Sequence, residues 1–120
     1  PGVIGTYPAN GSTNQLVDQL EHQVKIHFNT RIKTDRLDDS DFRINPRTDH
    51  DLIIGSYTDS KTGWTTLMLP VRLQEDTNYT IVVGRSVRAF NGAPLGNTPY
   101  TFRFRTHKLV PLDSSPRELD

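Results

Sequence analysis

Between Tyr100 and Thr106 the side chains alternate without a break: Tyr100, Phe102 and Phe104 on one parity, Thr101, Arg103 and Arg105 on the other. A helix turns about 100° per residue and would scatter those rings around its axis. A strand sends successive side chains to opposite faces, so this run has one apolar and one wet side. The apolar side must be buried against a second layer. Upstream, Tyr79, Ile81 and Val83 share one parity of another strand, entered through Leu73-Gln74-Glu75-Asp76-Thr77-Asn78. Asn91-Gly92 between the two strands is a turn signal, because both residues tolerate positive φ.

The rest of the chain repeats the theme in shorter pieces. Val3 to Tyr7 reads as an edge-type strand stopped by Pro8, which cannot donate to a ladder. Ala9 to Ser12 is turn chemistry. Gln15 to Glu21 carries at most a helical turn. Val24, Ile26 and Phe28 alternate with Lys25 and His27 and define a core face. Phe42-Arg43-Ile44 is a short strand closed by Asn45-Pro46, and Leu52-Ile53-Ile54 leads into Tyr57. Asp59 to Gly63 is a hairpin-type connection. Trp64 to Leu69 follows as a strand with Leu67 and Leu69 on one face, which puts Trp64, Thr66 and Met68 on the other. Short strands at turn spacing predict an all-β, antiparallel β-sandwich of about seven strands. Residues 1–107 form the domain. Residues 108–120 carry Pro111 and Pro116 without periodicity and read as a linker or tail.

Composition narrows the function. The chain has 120 residues, enough for one domain with its own core. Lys plus Arg equals Asp plus Glu at 14 each, so no global field draws the chain to nucleic acid or an anionic membrane. No segment approaches the roughly 20 apolar residues of a membrane helix, so no membrane insertion is expected. With no cysteine, thiolate catalysis, zinc–thiolate sites and disulfides are excluded. The chain opens on Pro1-Gly2 and its one methionine is Met68, which reads as a domain from a longer protein.

Four segments in order resemble one family. Tyr7-Pro8-Ala9-Asn10-Gly11-Ser12 matches an opening "P-x-[DN]-G" turn. Val24-Lys25-Ile26-His27-Phe28-Asn29 matches a second strand "I-x-I-x-F-[SN]". Leu73 to Val83 matches "L-x-x-x-T-x-Y-T-[VI]-x-[VI]". Phe90-Asn91-Gly92-Ala93-Pro94-Leu95 followed by Tyr100 to Thr106 matches "G-N-x-L…[YW]-x-F-x-F-x-T". With these, Val3 to Thr106 resembles the bacterial Ig-like domain found in tandem arrays on S-layer and other surface proteins. The chain departs at Asn91-Gly92, where the family more often has Gly-Asn, and Asp35 to Gly63 matches poorly. The resemblance implies an extracellular or cell-surface module without catalytic residues or cofactor. Such a module spaces or links neighbouring domains, binds glycans or host proteins through loops, or is attached as an accessory domain to a secreted enzyme.

Tyr79, just after Asp76-Thr77-Asn78, is placed for a tyrosine corner, with its ring in the core and its hydroxyl on an upstream backbone group. Arg103 and Arg105 form an outward stripe, and Arg85 and Arg88 precede the same strand. Together they are read as a positive patch for an acidic glycan, a sulfate or an acidic partner, against the plainer role of charged edge protection. Trp64 on an outward face suits sugar stacking or a domain contact, against a shifted register in which its ring packs over a sheet edge. Asp35, Asp38, Asp39 and Asp41 are the best metal candidates, for calcium. They lack the glycine and distal glutamate of an EF-hand loop, and Arg31, Lys33 and Arg36 would repel a cation, so capping of turns is the expected role. His22, His27, His50 and His107 show no ligand spacing, and no Gly-x-Ser-x-Gly elbow is present, so no enzyme is expected.

Overall fold

The computed structural model describes residues 1–15, 23–47 and 54–107. The predicted turn over Gln15 to Glu21, the Leu52-Ile53 pair, His22, His50 and the tail 108–120 lie wholly or largely outside those residues. Among the described residues there are eight strands: β1 (Val3–Tyr7), β2 (Ser12–Gln15), β3 (Gln23–Phe28), β4 (Phe42–Asn45), β5 (Gly55–Thr58), β6 (Thr65–Pro70), β7 (Asn78–Val83) and β8 (Tyr100–Thr106). A 3-10 turn, Asp39–Asp41, precedes β4. The strands form two four-stranded sheets, ordered β1-β3-β6-β5 and β2-β8-β7-β4. The fold is an Ig-like β-sandwich.

Among the described residues the expected count of about seven strands becomes eight because Ser12–Gln15, read from sequence as turn and the start of a helical turn, forms a strand of its own. β1 pairs antiparallel with β3 in one sheet, and β2 pairs parallel with β8 in the other. The crossing is made at the Pro8–Gly11 turn, where Gly11 takes φ +84°. There Ser12 N donates to Ala9 O at 3.0 Å and Gly11 N to Arg103 O at 2.7 Å. The Asn10 side chain accepts from Arg103 N at 3.0 Å. The turn therefore docks on the backbone of β8, and β2 covers what would otherwise be a free edge.

Alternation builds the core. Val24, Ile26 and Phe28 of β3 and Leu67 and Leu69 of β6 point inward from the first sheet. Tyr79, Ile81 and Val83 of β7 and Phe102 and Phe104 of β8 meet them from the second. Each such side chain contributes about 1.5–3 kcal/mol on leaving water. The rings also order one another: Phe102 and Phe104 lie 6.3 Å apart, and Tyr79 stacks on Phe104 at 5.6 Å. Val71, Leu73, Val87 and Leu95 close the ends from the connections.

Two hairpin connections follow their residues closely. At Asp59–Gly63 the Asp59 carboxylate accepts from Lys61 N at 2.7 Å, and Gly63 takes φ +74°. At Ala89–Ala93, Gly92 N donates to Ala89 O at 2.8 Å and Ala89 N to Ala93 O at 3.0 Å. Gly92, with φ +87°, supplies the left-handed residue this turn requires. Asn91 keeps a negative φ and instead accepts from Ala93 N through its side chain at 3.0 Å.

Candidate functional site

The corner before β7 is assembled from three segments. Asp76 adopts φ +52°, in the left-handed region an aspartate tolerates better than most residues. That bend lets Tyr79 enter the core, where it is 3% exposed. Its hydroxyl accepts from Gln74 N at 2.7 Å. Thr106 Oγ1 donates to Gln74 O at 2.6 Å and accepts from Thr77 N at 2.9 Å. The Asp76 carboxylate is ion-paired with Arg105. Both side chains of that pair are well exposed, so its net worth is below about 1 kcal/mol.

The four arginines do not form one patch. β7 and β8 pair from Asn78↔Arg105 to Val83↔Tyr100. Arg85 and Arg88 leave the sheet beyond Val83, whereas Arg103 and Arg105 lie about 10 and 17 Å along β8 from that end, at ~3.4 Å per residue. Arg103 and Arg105 do share the outer face, as alternation requires. With Ser12, Asn78 and Thr80 they line a shallow cleft of about 190 Å³. Arg105 is committed to Asp76, so Arg103 is the arginine of this stripe without an ion pair among the described residues.

Trp64 is 45% exposed and Leu67 and Leu69 are fully buried on the opposite parity. The register across the first sheet shows what lies near it. Gly5, His27, Thr66 and Tyr57 form one row, and Tyr7, Lys25, Met68 and Gly55 the next. His27 Nδ1 and Thr66 Oγ1 are bonded at 2.9 Å. Tyr57, 58% exposed, is an outward aromatic that the sequence did not single out. Its signal was weak because the segment before it carries no alternation that fixes a face.

Two carboxylates of the acidic loop, Asp38 and Asp41, are used in structure. Asp41 is buried; Ser86 Oγ donates to its Oδ1 and Asp38 N to its Oδ2 at 2.9 Å. Asp38 accepts from Ser40 N at 2.9 Å and from the Ser40 hydroxyl. These two bonds, the hydroxyl's first, hold the Asp38 carboxyl below the ordinary 3.8. Asp35 is exposed. Among the described residues no group of three or more His, Asp or Glu is placed to hold a metal. No described helix is long and apolar enough to cross a membrane.

Two packed sheets in these strand orders, tied at a tyrosine corner, define an Ig-like module. The model of the bacterial Ig-like domain matches residues 1–106, and the chain belongs to that family. Among solved structures it is similar to the S-layer protein rSbsC(31-844), with TM-score 0.51 and 17% identity over 92% of this chain. It spans 14% of that chain's length, and at such identity the likeness concerns the fold. No curated protein matches.

Proposed function

We propose that this domain is a non-catalytic structural module of a secreted or cell-surface bacterial protein, one that spaces, orients or links the domains beside it. The observation that carries this reading is the family match over residues 1–106. The likeness in fold to part of an S-layer protein supports it. So does the use of the polar groups singled out above: Tyr79 holds Gln74, Asp76 holds Arg105, and Asp41 holds Ser86 and the Asp38 backbone. The partners are neighbouring domains of the same protein. A domain swap tests the reading. Residues 1–107 of the parent are replaced by an unrelated Ig-like sandwich of similar span. A spacer predicts unchanged display and activity of the parent; loss that only this sequence restores points to binding instead.

A second reading rests on the exposed Trp64 and Tyr57. Aromatics on an open sheet face suit a glycan or a partner protein. A glycan array probed with wild type and Trp64→Ala tests it: retention by wild type that the variant loses supports a binding module, and no retention leaves the spacer.

A further inference from the structure

The loop end beyond β7 carries a small antiparallel ladder of its own. Ile32 is bridged to Ala89. Lys33 N donates to Arg88 O at 3.0 Å and Phe90 N to Arg31 O at 2.8 Å. Ile32 and Ala89 are buried and anchor the ladder to the core. Alternation then gathers Arg31, Lys33, Arg88 and Phe90 on the opposite face, and all four are exposed. The Arg31 guanidinium lies 4.0 Å from the centroid of the Phe90 ring, as a shared face requires.

Lys33 and Arg88 consequently stand opposite each other across the ladder. Like charges in that position repel, and neither is in an ion pair among the described residues. Beside them is a cavity of about 160 Å³ walled in part by Lys33, Arg36, Arg88 and Ser86. Asp35 and Asp41 also line it; the Asp41 oxygens accept from Ser86 Oγ and Asp38 N, and Arg88 Nη1 donates to Gly92 O at 3.3 Å. Asp35 is exposed, as are Lys33, Arg36 and Arg88, so solvent and salt screen all four charges alike. Three cations face two carboxylates, so the wall carries a formal net charge of +1, and Arg31 adds to it from the same face of the ladder. The cations that argue against calcium at this loop argue for a ligand of opposite sign.

We propose that this cavity binds a multiply charged oxyanion, phosphate or sulfate, held by Lys33, Arg36 and Arg88. The planar guanidinium forks match the oxygen pairs of such a group, and the lysine supplies a mobile point charge. The oxyanion is either the free ion or a group carried on a polymer. The site is separate from the Arg103–Arg105 stripe and independent of the spacer reading.

The test is an NMR titration of the isotope-labelled chain with inorganic phosphate, at ionic strength held constant with sodium chloride. Saturable shifts are expected at the amides of Lys33, Ser86 and Arg88. Lys33→Ala/Arg88→Ala should weaken binding at least ~10-fold by removing two charge-assisted contacts, while Arg103→Ala leaves it unchanged. A sulfated polysaccharide separates the sources: tighter binding than inorganic sulfate assigns a polymer-borne group, equal binding the free ion. Phosphate shifts no different from those of chloride, or wild-type affinity in the double variant, overturn the proposal. Should that variant unfold, unchanged affinity in Arg36→Gln, a position outside the ladder, does the same.

Discussion

The hydroxyl of Tyr79 accepts a 2.7 Å hydrogen bond from the backbone N–H of Gln74, five residues upstream. The carbonyl of Gln74 is held as well, by Thr106 Oγ1 at 2.6 Å. Side chains from the last two strands thus satisfy both backbone polar groups of one loop residue. The connection from β6 to β7 is locked to the C-terminal end of β8, and the two sheets are joined through it.

Tyr79→Phe keeps the ring in the core and removes only the acceptor of Gln74 N. We expect a loss of about 1 kcal/mol or more, the penalty for a part-buried N–H left without a partner. Urea unfolding should show a lower midpoint at unchanged slope. An unshifted midpoint would remove the hydroxyl from the account of stability.

Thr106→Val is nearly isosteric and deletes the bonds to Gln74 O and Thr77 N at a buried site. Because Tyr79 and Thr106 hold the same residue, their losses should not add. A double-mutant cycle is expected to show coupling of roughly 0.5 kcal/mol or more, as found for residues sharing a partner. Strict additivity would mean that the corner and the end of β8 act separately.

The two aromatics of opposite parity should behave oppositely. Phe102 is fully buried, and Phe102→Ala should cost about 3–5 kcal/mol. Trp64 is half exposed, and Trp64→Ala should change stability by about 0.5 kcal/mol or less. A large loss at Trp64 would show that its ring is part of the packing.

Asp38 gives a pH prediction. Its carboxyl lies below 3.8 because Ser40 donates to it from side chain and backbone. A depressed carboxylate stabilises the fold above its unfolded value, and that small contribution is lost as pH falls through the lower folded value. Ser40→Ala removes the larger cause, so the Asp38 titration followed by NMR should move up toward 3.8. No movement would assign the depression to the backbone bond alone.

The core faces of β3, β7 and β8 are legible in the sequence because each has a dry and a wet side, and period two identifies which residues share it. The outward parity of Trp64 follows from Leu67 and Leu69 in the same way. β2 is not legible. Ser12–Gln15 has no apolar alternation, and its place is set by the Asn10 side chain on the backbone of Arg103, 93 residues away. The arginines mislead for a related reason: nearness in sequence to β7 does not say which end of the sheet a loop residue reaches. Asp41 looks like one of four equivalent loop carboxylates until its bond to Ser86, 45 residues on, shows that it is a buried brace.

Display of the module outside the cell, as proposed above, is read by labelling. The chain has no cysteine, and Ser60 is exposed at the Asp59–Gly63 hairpin. Ser60→Cys in the parent protein therefore adds one reporter thiol. A membrane-impermeant maleimide applied to intact bacteria should label the variant above the unmodified parent. Labelling that appears only after lysis would contradict the claim.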